Sequence, residues 1–150
     1  MVNKNQVDSS LFGYPVSFYI NKAEFPWVIY ALCMFILYVA TFWFNLNYLS
    51  TLVPISFVGS VITVAAATYF YGIKTQLSLG ACLTLGAIIG LLLGFISSLL
   101  ALFRFWHIWL FFNVITESLI SIVLGLLVAL LTILLFRLPW LKKFHGAVDN

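Results

Sequence analysis

SLGACLTLGAIIGLLLGFISS, residues 78–98, sets Ser78, Cys82, Gly86, Gly90, Gly94 and Ser98 at steps of four in a run otherwise built largely of Leu and Ile. The run is too long and too apolar for a helix of a small soluble domain, and long enough to cross the ~30 Å hydrocarbon core of a bilayer at 1.5 Å per residue. Four residues turn a helix by about 400°, so the small side chains drift by about 40° per step and form a shallow spiral groove. Small-xxx-small series of this kind let helix backbones approach closely where lipid offers no hydrophobic drive between helices. The stretch therefore predicts a transmembrane helix built to be packed against. Its expected occupant is either the second apolar run, whose Ser56, Gly59, Ser60, Thr63, Ala66, Ala67 and Thr68 give it a small, mildly polar face, or another subunit.

The rest of the chain agrees with a lipid solvent. Of 150 residues, 64% are hydrophobic and 7% charged, and the mean hydropathy is +1.15, well outside the range of soluble globular domains. Hydrocarbon offers no partners for exposed backbone groups, so long apolar runs imply helices. The alternating segments of about ten residues that mark a transmembrane barrel are missing from the sequence. Four spans are expected, at about 26–44, 52–71, 77–103 and 110–136, with Pro26 opening the first and Pro139 stopping the last. The fold class is thus an all-α integral membrane protein, a four-helix antiparallel bundle over 26–138 with short loops. Residues 1–25 are read as an N-terminal interfacial segment and 139–150 as a short basic tail; the first 25 residues lack the basic-then-apolar layout of a cleavable signal, so the first apolar run is expected to stay in the mature protein.

Charge fixes the expected orientation. Four spans put both termini and the second loop on one face, which collects Lys4, Lys22, Lys74, Arg137, Lys142 and Lys143, against Arg104 alone on the other. The positive-inside bias makes that face cytoplasmic, or matrix or stromal in an organelle. Aromatic residues cluster near the expected boundaries and read as headgroup anchors: Phe25, Trp27 and Tyr30 at the first entry, Phe42 to Phe44 at its exit, and Phe103 to Trp109 around the third loop.

Little in the sequence carries chemistry. There is no glycine-rich phosphate loop, no zinc-spaced Cys and His array, and no basic nucleic-acid footprint. Cys33 and Cys82 fall inside expected spans as small apolar residues, and no metal or other cofactor is expected. Glu117 is the one acidic residue within a span, on a stripe with Asn113 and Ser121. A carboxylate in a bilayer is costly and marks a candidate site. If the last span begins at Ile108, Glu117 lies about 13 Å deep and suits proton or cation movement. If the aromatic RFWHIWLFF stretch, residues 104–112, lies in the outer interface, Glu117 sits within a turn of the headgroups and pairs with Arg104 or His107. The length of the apolar stretch favours the second geometry. This inventory argues against an enzyme. The expected function is a non-catalytic structural or accessory subunit, packing through the third-helix groove against a membrane-protein partner or a second copy. The alternative is a small oligomeric transporter or channel that uses Glu117.

Overall fold

The computed structural model describes residues 10–105 and 109–145, with the side chains of 48–50, 103–105, 109–111 and 138–145 excepted. Two short strands, β1 (Ser10–Leu11) and β2 (Tyr14–Pro15), pair antiparallel and lead into α1 (Val16–Trp43). Then follow α2 (Tyr48–Ala67), a π-helical continuation at Thr68–Ile73, α3 (Leu79–Phe105) and α4 (Trp109–His145). Four of these helical stretches are long and apolar enough to cross a membrane: Val16–Trp43, Thr51–Ile73, Leu79–Leu102 and Phe112–Arg137.

The first helix begins ten residues before Pro26, where the sequence predicts its start. Proline inside a helix removes one backbone hydrogen bond, but here the earlier turns are held from outside. Tyr19 is fully buried and its hydroxyl donates to the Leu11 carbonyl at 2.6 Å, Tyr14 and Phe18 stack at 4.6 Å, and the Lys22 ammonium lies 5.4 Å from the Tyr71 ring. The turn between β1 and β2 uses Phe12 and Gly13, both at positive φ, as a two-residue hairpin requires. It seats Phe12 over Gly80, where an added Cβ would run into the Phe12 ring. The described part of the expected interfacial segment, residues 10–25, is therefore a hairpin and nearly three helical turns, fastened to the beginning of α3. Pro139 likewise does not stop the last helix, which runs on to His145.

Both short links that follow α1 and α2 close in the same way. After α1, Leu46 N–H donates to the Thr41 carbonyl and Asn45 N–H to that of Phe42, with Asn45 at φ 54°. After the π turn, Leu77 N–H donates to Gly72 and Gln76 N–H to Ile73, with Gln76 at φ 58°. These paired bonds are Schellman motifs, which satisfy the last carbonyls of a helix and reverse the chain. Ser78 then caps α3: its hydroxyl accepts from the Ala81 N–H at 3.2 Å.

The third helix is the centre of the packing, and a larger share of it is buried than of the other three. Leu85, Ile89 and Leu93 form its fully buried stripe, joined in the core by Tyr30 and Met34 of α1, Leu52 and Val64 of α2 and Ile133 of α4. The partner in the small-residue groove is α4, not the expected α2. A Cβ on Gly86 would lie 2.5 Å from that of Ala129, one on Gly90 would run into the Ser121 carbonyl oxygen, and one on Gly94 would lie 2.6 Å from the Ser121 Cβ. On the facing helix, a Cβ on Gly125 would meet the Gly86 carbonyl oxygen and lie 3.1 Å from the Gly90 Cα. Residue numbers rise on α3 as they fall on α4, so the two run antiparallel. The physical reason α4 wins is that Ser121, Gly125 and Ala129 form their own small series at spacing four, letting two grooves mesh backbone to backbone. Drift of the series by about 40° per step also divides it. Cys82 faces Gly72 at the end of the π turn instead, where an added Cβ would lie 2.8 Å from its Sγ.

Gly90→Leu forces the α3 and α4 backbones apart and Gly90→Ala does so by a single methyl, so both should destabilise the detergent-solubilised protein, the Ala variant by about 1–3 kcal/mol. Gly59→Ala is the control, since its Cβ would sit at an ordinary 3.4 Å from the Tyr30 ring and should leave the melting temperature nearly unchanged.

Candidate functional site

Where the glycine seam of α3 and α4 ends, polar side chains take over. Ser98, one step of four beyond Gly94, is buried, and its hydroxyl lies 2.7 Å from Glu117 Oε2 and 2.6 Å from the Gly94 carbonyl oxygen. Glu117 reaches this position because its own helix is held at backbone distance by the glycines: its carbonyl oxygen lies 3.1 Å from where a Gly94 Cβ would be. On α4 Asn113 and Ser121 flank Glu117 one turn to either side, on the same stripe.

These groups open onto a cavity of about 360 Å³ between α2, α3 and α4. Its polar lining is Ser56, Ser60, Ser97, Asn113, Glu117 and Ser121, with Phe57, Leu93 and Leu124 among its apolar walls. Glu117 lines this space and is exposed rather than sealed within the core. Ser56 donates its hydroxyl proton to the Val53 carbonyl at 2.9 Å, and Ser60 to that of Phe57 at 2.8 Å. A hydroxyl that donates to its own helix keeps only lone pairs to offer. The α2 wall is therefore rich in acceptors, as is the carboxyl group opposite it on α4, and the cavity suits a guest that brings hydrogen-bond donors or positive charge.

Tyr30 fixes the floor of this arrangement. Its hydroxyl lies 3.1 Å from the Ser56 carbonyl oxygen and 3.0 Å from Ser97 Oγ, so one side chain of α1 ties α2 to α3 beside the cavity. Read from sequence as an interfacial anchor, Tyr30 is instead 4% exposed in the core. The signal available was its phenolic hydroxyl, which needs a partner wherever the ring is buried.

The structure thus brings Gly86, Gly90, Gly94 and Ser98 together with Glu117 and Ser121, assigns Cys82 to the π turn and uses Ser78 as a cap. The expected Arg104–Glu117 ion pair, like the His107 alternative, lies outside the described residues. Ser56, Ser60 and Ser97 were not singled out as a site from sequence, because spacing along separate helices does not reveal which faces converge. Among the described residues no group of three or more His, Cys, Asp or Glu side chains is arranged to hold a metal ion.

Tyr30→Phe should cost about 0.5–1.5 kcal/mol in thermal unfolding, since it deletes one hydroxyl and leaves the Ser97 hydroxyl to find another partner; Tyr38→Phe, outside the cavity, is the comparison. Comparison of the chain with protein-family models, curated proteins and solved structures gives no match.

Proposed function

We propose that this chain is a four-span integral membrane protein that moves protons or small cations as an oligomer, with Glu117 at the centre of its site. The observation that carries the reading is the exposure of Glu117 to a cavity whose facing serines have already spent their protons on backbone carbonyls. A carboxyl group within a span is expensive unless it serves a pathway or is paired, and here it fronts a space large enough for guests.

Membrane insertion is supported by the four apolar helices and by the chemistry of their ends. Lys22 meets Tyr71, Lys74 lies 5.9 Å from the Phe70 ring and Tyr69 contacts Phe136 beside Arg137. Basic and aromatic residues from α1, the π turn and α4 thus gather at one end, as positive-inside orientation and headgroup anchoring favour. We read that end as cytoplasmic, or matrix or stromal in an organelle, with both termini on it and an up-down-up-down bundle between. Gly90 and Gly125 then lie near mid-span, and Glu117, eight residues from Gly125, stands about 12 Å from the midplane. That is just inside the hydrocarbon boundary at about 15 Å, a depth that water can reach through a polar cleft.

A second reading keeps the protein as an accessory subunit. The observation in its favour is that α2, α3 and α4 enclose the cavity only in part, so a helix of a partner or a second copy has room to complete it. The third-helix groove itself is filled by α4, so that partner would dock at the cavity.

Glu117→Gln separates the two readings. In reconstituted vesicles the transport reading predicts flux reduced to the level of protein-free vesicles with assembly intact; unchanged flux with altered assembly supports the subunit reading. Impermeant labelling of tags at the two ends should mark both from the same side of the membrane, and labelling from opposite sides contradicts four crossings.

A further inference from the structure

Hydrogen accounting at Ser98 narrows what the cavity handles. The Ser98 oxygen lies 2.6 Å from the Gly94 carbonyl oxygen and 2.7 Å from Glu117 Oε2. Both separations are hydrogen-bond distances between oxygens, but a serine hydroxyl carries one hydrogen and the other two oxygens carry none when the carboxyl is ionised. With an ionised carboxyl the one Ser98 hydrogen has to be shared between two acceptors, which weakens both bonds. A proton on Glu117 removes the conflict: the carboxyl O–H donates to Ser98 Oγ, and Ser98 O–H donates to Gly94.

We propose that Glu117 is a proton-carrying site whose release of a proton turns the Ser98 hydroxyl from the Gly94 carbonyl to the carboxylate. The inference deepens the transport reading and rests on it for its purpose, though not for its chemistry. On release the Glu117 O–H bond breaks, the proton passes to water entering the cavity and the electron pair stays on the carboxylate. Ser98 then rotates its hydrogen onto the new charge. The exchange has a structural consequence, because the Gly94 carbonyl that loses its side-chain donor belongs to the seam on which α3 and α4 meet.

The surroundings fit a proton better than a metal cation. Among the described residues, the groups facing Glu117 are Ser97 and Ser98 of α3, Asn113 and Ser121 of α4, and Ser56 and Ser60 of α2, with the Tyr30 hydroxyl of α1 behind them. All are neutral at physiological pH. A hard divalent cation takes about six to eight oxygen ligands, usually with several carboxylates among them, whereas this cavity has one carboxyl, engaged with Ser98 through one of its two oxygens.

The test is an infrared difference spectrum of the full chain in lipid nanodiscs at neutral pH, wild type against Glu117→Gln. The amide NH₂ of Gln donates as the protonated carboxyl does, so this variant should keep its assembly. The expected result is the C=O stretch of a protonated carboxyl, shifted in heavy water and lost in Glu117→Gln. In Ser98→Ala the stretch should move to higher frequency as its hydrogen bond disappears. Paired carboxylate stretches in place of that signal, or a stretch unmoved by Ser98→Ala, would overturn the proposal. If the protonated stretch is found while flux is indifferent to Glu117, the transport reading fails and the proton site stands.

Discussion

The backbones of α3 and α4 meet along a seam with no side chain larger than serine between them, and the polar site depends on that approach. Gly86, Gly90 and Gly94 face Ser121, Gly125 and Ala129 so closely that a methyl group on any of the three glycines would collide with the opposite helix. In the membrane-spanning reading proposed above, such contact is sustained by dispersion over a long seam and by weak Cα–H interactions, because burying more hydrocarbon gains nothing against lipid. Glycine is needed here for room rather than for backbone freedom: the helix is continuous through all three positions.

From that seam the polar site follows. Holding α3 and α4 at backbone distance brings the first polar residues beyond the glycines, Ser98 and Glu117, within one hydrogen bond of each other. Tyr30 then sets the distance of α2 by bonding both Ser56 and Ser97. The result is a cavity with a seam on one side and a tied helix on the other, its walls apolar and its acceptors concentrated around one carboxyl. Structure and chemistry are coupled at Gly94, which contributes its missing side chain to the seam and its carbonyl to Ser98.

Much of this was legible from residue order, and the failures have physical causes. The four apolar stretches and the period-four series on the third were plain, because both are local patterns. The occupant of the groove was not: α2 and α4 each carry a small face, and on α4 the stripe of Asn113, Glu117, Ser121 and Gly125 draws attention as polar rather than as small. Proline punctuation misled at Pro26, where the local breaking tendency loses to tertiary contacts such as the buried Tyr19 and its bond to Leu11, and at Pro139, through which the helix runs on. The π turn at Thr68–Ile73, where Gly72 receives Cys82, has no local signature beyond a glycine near a helix end.

The meeting of the two backbones within one chain can be read directly, because the protein has only nine glycines. With glycine Cα carbons labelled by ¹³C in protein reconstituted in lipid, solid-state NMR should give a Gly90–Gly125 cross-peak that survives dilution with unlabelled protein. A cross-peak that vanishes on dilution would place the contact between chains, and no cross-peak at all would leave the groove to lipid; either result contradicts this account.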